Sequence, residues 1–202
     1  MGHIRSTGRP AEVPDLARSL KRARLLRGMK QSHLAERLSV TQATICRWER
    51  GSHRPSETQM PAVLAFIAAP CAVARDAALK RLVESSVRRV HLICDATHRL
   101  LAASAPRQAD WGAPASTLLG RSLWPFASAE IEDAEARLEA VGWYETWAPS
   151  VVFHTPGKAD PVVPIVPGEV LWERVRLEDG SEARLVNTLA ASESLPPDTV
   201  RI

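Results

Sequence analysis

One stretch restricts this 202-residue chain more than any other: QSHLAERLSVTQATICRWERG, residues 31–51. Leu34, Ala35 and Leu38 recur at the spacing that places them on one side of a helix beginning near Gln31. Residues 39–41 turn the chain. A second helix runs from about Gln42 to Arg50, with Ile45 and Trp48 on its inner side, and Gly51 closes it. Ala35 is small where the two helices must cross closely, and Val40 is positioned to plug the turn into their common core.

The flanking segments supply further helices. Pro14 and Asp15 suit a helix start, Leu16, Leu20 and Ala23 form its stripe, and Gly28 stops it. Beyond Pro55, a helix from about Glu57 carries Val63, Leu64 and Ile67 until Pro70. Residues 1–13 combine Gly, Pro and Arg without periodicity and read as a mobile tail. Charge divides at the same place. Residues 1–69 hold twelve Lys and Arg against five Asp and Glu, whereas the remainder holds 14 against 18, within an overall charge of +3. A basic first third joined to an acidic remainder predicts two units, the first of them facing a polyanion.

A short helix, a three-residue turn and a second short helix make helix-turn-helix geometry. MKQSHLAERLSVTQATICRWERGSHRP resembles the XRE-type, lambda-repressor-like (Cro-type) helix-turn-helix domains over residues 14–69. The resemblance implies that Gln31 holds a DNA phosphate and supports Gln42, and that Gln42 contacts a base or a phosphate. Ala43, Thr44 and Arg47 would face base edges or nearby phosphates. Arg50 would meet backbone, and Thr41 and Arg54 complete the expected DNA-binding set. Chemically, Gln42 suits adenine and Arg47 suits guanine, each giving roughly 1–3 kcal/mol of discrimination, while Ala43 offers a methyl to thymine. Arg47 has the alternative of neutralising phosphate alone. One position departs from the family pattern: Ser39 stands where glycine is usual. If the turn needs positive φ there, serine costs about 1 kcal/mol relative to glycine.

Residues 70–89 read as a connecting helix, with Val73, Ala77, Leu79, Leu82 and Val83 as its stripe. It has the option of pairing with its twin in a dimer, although the heptad is too short for a coiled coil. From residue 90 the period shortens to two. VHLICDATHRLLAAS reads as a hairpin about residues 95–98, residues 115–124 and 128–141 as short helices, and SVVFHTP as a strand. VLWERVRLEDGSEARLVNTL is a hairpin whose turn pair, Asp179-Gly180, tolerates positive φ at both positions. The expected class is thus a four- to five-helix all-α unit followed by an α+β unit with an antiparallel sheet over 90–192, and a loose tail over 193–202. Ile93-Cys94-Asp95, a return strand ending at Ser104 and LLGRSLW at 118–124 resemble, more weakly, the opening of a PAS-type sensor domain. Such a domain holds a small molecule between sheet and helices, or only dimerises. Trp111, Trp124, Trp143, Trp147 and Trp172 are expected mainly in its core, with pocket lining as the alternative.

Other classes find little support. Cys46, Cys71 and Cys94 lack metal-ligand spacing and read as reduced, packed thiols. His91, His98 and His154 are isolated, so no haem, other cofactor or metal is expected, and no cofactor-binding residue is assigned. No nucleophile elbow or other catalytic constellation is present, so an enzyme is not expected. No apolar run reaches membrane-spanning length and no secretory pattern opens the chain, which predicts a cytoplasmic protein without a membrane partner. The reading is a bacterial, sequence-specific transcriptional regulator that binds double-stranded DNA as a homodimer on a palindromic site. A small-molecule ligand and RNA polymerase are further candidate partners. The alternative is a protein-interaction adaptor or antitoxin-like partner whose DNA binding is secondary.

Overall fold

The chain begins with helices whose apolar stripes converge, and a computed structural model, which describes residues 16–68, 76–190 and 193–202, shows how they close. The first four are α1 (Leu16–Leu25), α2 (Gln31–Arg37), α3 (Gln42–Glu49) and α4 (Met60–Ile67). Leu20, Leu34, Ile45 and Val63, one from each helix, are fully buried together. The expected helix start at Pro14 and Asp15, the tail over 1–13 and the stop at Pro70 lie outside the described residues. Regular helix in α4 begins three residues later than Glu57. The preceding turn is closed by reciprocal bonds: Ser56 N–H donates to Gln59 Oε1 at 3.1 Å and Gln59 N–H to Ser56 Oγ at 3.3 Å. This is a capping box, which satisfies backbone donors ahead of the helix.

The expected connecting helix is shorter than 70–89. Helix α5 spans Ala77–Glu84, and residues 70–75 are not among those described. It is no free connector: Val83 packs with Val90, Leu92 and Ala102 on one face of a sheet. That sheet contains β1 (Arg89–Cys94), β2 (Leu100–Ala103), β3 (Ser150–Thr155), β4 (Gly168–Arg176), β5 (Glu182–Thr188) and β6 (Thr199–Arg201), in the order β2-β1-β5-β4-β3-β6. Between β2 and β3 the chain forms α6 (Ala105–Asp110), α7 (Ala115–Leu118), a 3₁₀ turn at Trp124–Phe126 and α8 (Ala129–Arg137). The alternation of the strands sends Ile93, Val170, Trp172 and Val186 toward these helices, and Val90, Leu92 and Ala183 toward α5. The molecule is therefore a helical unit followed by an α+β unit.

Four expectations need correction. Helix α6 was not expected; Ser104 caps it by accepting from Arg107 N–H at 3.2 Å, and Pro106 sits in its first turn. The tail contains β6, which pairs with β3 in parallel and makes the sheet mixed rather than antiparallel. The β4–β5 turn has positive φ only at Gly180, not at Asp179. Leu177 N–H donates to Ser181 C=O, which closes a three-residue loop, and Asp179 Oδ1 accepts from Ser181 N–H at 2.8 Å. A three-residue loop with glycine left-handed is the G1-bulge solution, which needs only one such residue. Finally, Trp147 stands 92% exposed, whereas Trp111, Trp143 and Trp172 are buried.

Candidate nucleic-acid interface

Helix α3 is held from below by its two largest apolar side chains. Ile45 is fully buried and Trp48 is 4% exposed, so both fix the roll of the helix. The opposite side then presents Gln42, Ala43 and Arg47 to solvent. None of the other described residues covers them. Thr41 caps the helix: its Oγ1 accepts from Thr44 N–H at 3.2 Å. Thr44 stands beside this cap. It is half-buried, and its hydroxyl lies 2.9 Å from Thr41 Oγ1 in a mutual hydrogen bond. Thr44 therefore supports the cap. Arg50 and Arg54 extend the exposed basic edge past the helix end. Cys46 is half-buried between the two sides of the helix.

The turn before α3 has the strain that its sequence implied. Ser39 adopts φ +54°, a left-handed conformation that L side chains rarely take. Val40 N–H donates to Ala35 C=O at 2.9 Å and seals the turn against α2.

The far end of α3 is anchored by charge, and this the sequence reading missed. Arg24 on α1 grips Glu49 with two bonds, Nε to Oε1 at 2.6 Å and Nη2 to Oε2 at 2.9 Å, while its Nη1 donates to Met29 C=O. Gln31 Nε2 donates to the same Glu49 Oε2 at 2.9 Å. A buried carboxylate is tolerable only when paired and hydrogen-bonded, and here three elements meet on one. Gln31 thus spends one amide hydrogen on fold support and retains the second at the start of α2. Gln42, Arg47, Arg50 and Arg54 are exposed on α3 and the segment after it, while Arg24 and Gln31 tie Glu49, at the end of α3, to α1 and α2.

A second charged cluster seats the helical unit on the α+β unit. Arg22 of α1 is 6% exposed; its Nη1 donates to Glu135 Oε1 at 2.7 Å and its Nε to Ala96 C=O at 3.2 Å. The other Glu135 oxygen accepts from Arg184 Nη1 at 2.6 Å, and Arg184 Nε donates to Asp95 Oδ1 at 2.7 Å. Trp143 Nε1 satisfies Asp95 Oδ2 at 2.8 Å. The Arg184 guanidinium lies over the rings of Trp172 and Trp143. Burial alone would raise the Glu135 pKa; Arg184 and Arg22 outweigh it and hold the carboxyl well below the usual carboxylate range. Burial would also lower the Arg184 pKa, but Asp95 and Glu135 reverse that and raise it. His98 beside them is driven the other way: burial first, then Arg22, lowers its pKa to about 4, so its ring is neutral near pH 7. At the edge of this seat, Lys21 meets Glu139 at 2.6 Å in a solvent-exposed pair worth little by itself.

Among the described residues no group of three or more His, Cys, Asp or Glu is arranged to hold a metal ion, and no helix is long and apolar enough to cross a membrane. Residues 20–67 match the family model for helix-turn-helix domains. That stretch is an XRE-type helix-turn-helix, the DNA-binding unit of transcriptional regulators, and it contains α2, α3 and the turn between them. No curated protein matches the chain.

Proposed function

We propose that this protein is a sequence-specific transcriptional regulator that binds a palindromic operator as a homodimer. Residues 14–69 read the DNA, and residues 90–192, with α5, supply the dimer contact and signal input. The observation that carries the reading is the α3 surface. Gln42, Ala43 and Arg47 are aimed outward by buried Ile45 and Trp48, and the α+β unit leaves them open. Gln42 and Arg47 take bases and Ala43 a thymine methyl; Gln31, Thr41, Arg50 and Arg54 contact the sugar–phosphate backbone. Thr44 serves by holding the Thr41 cap.

Two polar base-reading side chains are too few for tight specific binding by one copy. Two half-sites about one helical turn apart raise both affinity and specificity. Helix α5 offers a surface for self-association, since Leu82 and Val87 project from it and the segment after it into solvent. The strand, strand, helices, strand, strand, strand order of residues 90–188 supports the PAS-like reading of the second unit.

Fluorescence anisotropy with genomic DNA fragments tests the function. Some fragments are expected to bind at least about a thousandfold more tightly than bulk DNA at physiological salt. Equal affinity for every fragment would refute sequence-specific regulation and favour a protein-interaction adaptor.

A further inference from the structure

The inner face of the sheet does not meet its helices completely. A cavity of about 100 Å³ remains between β1, β4 and β5 on one side and α6, the Trp124 turn and the strap over 163–166 on the other. The strap is tied down: Gly112 N–H donates to Val162 C=O, and Lys158 pairs with Ile165 through both backbone bonds. A Cβ on Gly112 would lie 2.0 Å from Pro161 O, so only glycine permits this closure.

The cavity walls are mostly apolar, with Ile93, Leu123, Val163, Val170 and the rings of Trp111 and Trp172 among them. The polar groups are few: basic side chains and one hydroxyl. His91, His98, Arg107, Arg184 and Thr188 line the space, and no acidic residue does. The Arg184 charge is already matched by Asp95 and Glu135. Arg107 is different. It is 5% exposed; its Nη2 donates to Arg89 C=O and Thr188 Oγ1, and its Nη1 reaches Asp110 only at 3.5 Å. Asp110 is shared with the Arg89 guanidinium at 3.2 Å. Arg107 Nε and the neighbouring His91 Nδ1 are buried and have no hydrogen-bond partner. A buried polar atom left unpaired costs about 1–3 kcal/mol, so such atoms on residues that line a cavity mark a place for a partner. Burial, with Arg107 adding to it, keeps the His91 ring neutral, so it donates from one nitrogen and accepts at the other.

We propose that this cavity binds a small carboxylic acid with a compact apolar body, such as one aromatic ring or a branched chain, whose carboxylate pairs with Arg107 and His91. The walls exclude a sugar or a phosphate ester, which would strip water from many polar groups without replacing it. The volume excludes a long acyl chain or a nucleotide. The excess positive charge and the absence of an acidic wall exclude an amine. The inference rests on the signal-input part of the function proposed above and gives it a ligand class. It also gives the ligand a neighbour of consequence: Arg184 and His98, in the cavity wall, both touch Glu135, the carboxylate that holds Arg22 of the DNA-binding unit.

The test is calorimetry, with tryptophan fluorescence in parallel, on the full chain titrated with benzoate, isovalerate and benzylamine. Trp111, Trp124 and Trp172 line the cavity and report on its occupancy. Benzoate or isovalerate is expected to bind, with benzylamine at least about tenfold weaker. Arg107→Met is expected to weaken the acid by about tenfold or more. Because Arg107 also ties α6 to the sheet, Val163→Phe provides the second variant; it fills the cavity and is expected to abolish binding while the chain stays folded. Benzylamine binding as well as the acids, Val163→Phe binding them like the parent, or no binding up to millimolar concentration would each overturn the proposal. DNA affinity is measured on the same samples without added acid. Loss of DNA binding with acid binding intact counts against the regulator alone, and the reverse counts against the cavity site alone.

Discussion

Replacing Arg22 by methionine removes a guanidinium that joins the DNA-binding unit to the buried charges of its neighbour. The bond from Nη1 to Glu135 is 2.7 Å long and both side chains are nearly dry, at 7% and 4% exposure. A charge-assisted bond of this kind contributes about 1.5–3 kcal/mol, and the longer bond to Ala96 C=O about 1 kcal/mol more. The roughly 3–5 kcal/mol penalty for abandoning a buried ion does not apply in full, because Arg184 still pairs with Glu135 at 2.6 Å. The expected loss is therefore about 2–4 kcal/mol. It falls on the seat between the units and leaves the core of each intact. Urea unfolding followed by tryptophan fluorescence and circular dichroism should show the helical unit melting ahead of the α+β unit in Arg22→Met. A double-mutant cycle with Glu135→Gln should give a coupling of about 1.5–3 kcal/mol. A coupling below about 0.5 kcal/mol, or an unchanged single transition, would refute the claim that this pair holds the units together.

Three further outcomes follow from other positions. Ser39→Gly relieves a left-handed φ of +54° and should raise stability by about 0.5–1 kcal/mol without altering DNA affinity; a destabilised variant in urea unfolding would show that the turn gains nothing from glycine. His98 has a folded pKa of about 4 against 6.5 unfolded, so the unfolded chain binds the proton first as pH falls. The stability it contributes is complete above pH 6.5 and is lost between 6.5 and 4, with buried His91 acting in the same direction. His98→Gln should flatten stability over that window in urea titrations, and an unchanged slope would contradict the assignment. Leu82→Glu with Val87→Glu should convert a dimer to a monomer by light scattering, since both side chains are exposed and no core contact is lost; a persistent dimer would move the interface elsewhere.

The helical unit was legible because its signals are local. Leu34, Ala35, Ile45 and Trp48 mark the inner sides of two helices at helical spacing, and the same spacing leaves Gln42, Ala43 and Arg47 outside. Ser39 was legible as a strained position because one residue type suits that turn. In the second unit, alternation revealed the hairpins at β1–β2 and β4–β5. It could not reveal β6, where Thr199–Arg201 is too short to alternate and depends on β3 for its bonds. Helix α6 left a weaker mark, Ser104 followed by Pro106, which is a cap and a first-turn proline on a helix of only six residues. Least legible were the charges. Nothing in the sequence marks Arg22, Arg24, Asp95, Glu135 and Arg184 as buried, because buried ions are rare unless paired, and their partners lie 25 to 113 residues away along the chain. The hydroxyl pairing of Thr44 with Thr41 likewise left no mark in the sequence pattern. The basic excess of the first third also overstated the outward charge, since Arg22 is spent on Glu135 of the second unit.

The central claim is that α3 reads a specific, two-fold symmetric DNA site. Selection of bound sequences from a random duplex library by the full chain, at physiological salt, tests it most directly. The account predicts an enriched inverted repeat whose half-site centres lie about 10 base pairs apart, and its loss when Arg47 and Gln42 are both changed to alanine. A library that returns no enriched motif, or the same motif from the double variant, would contradict it.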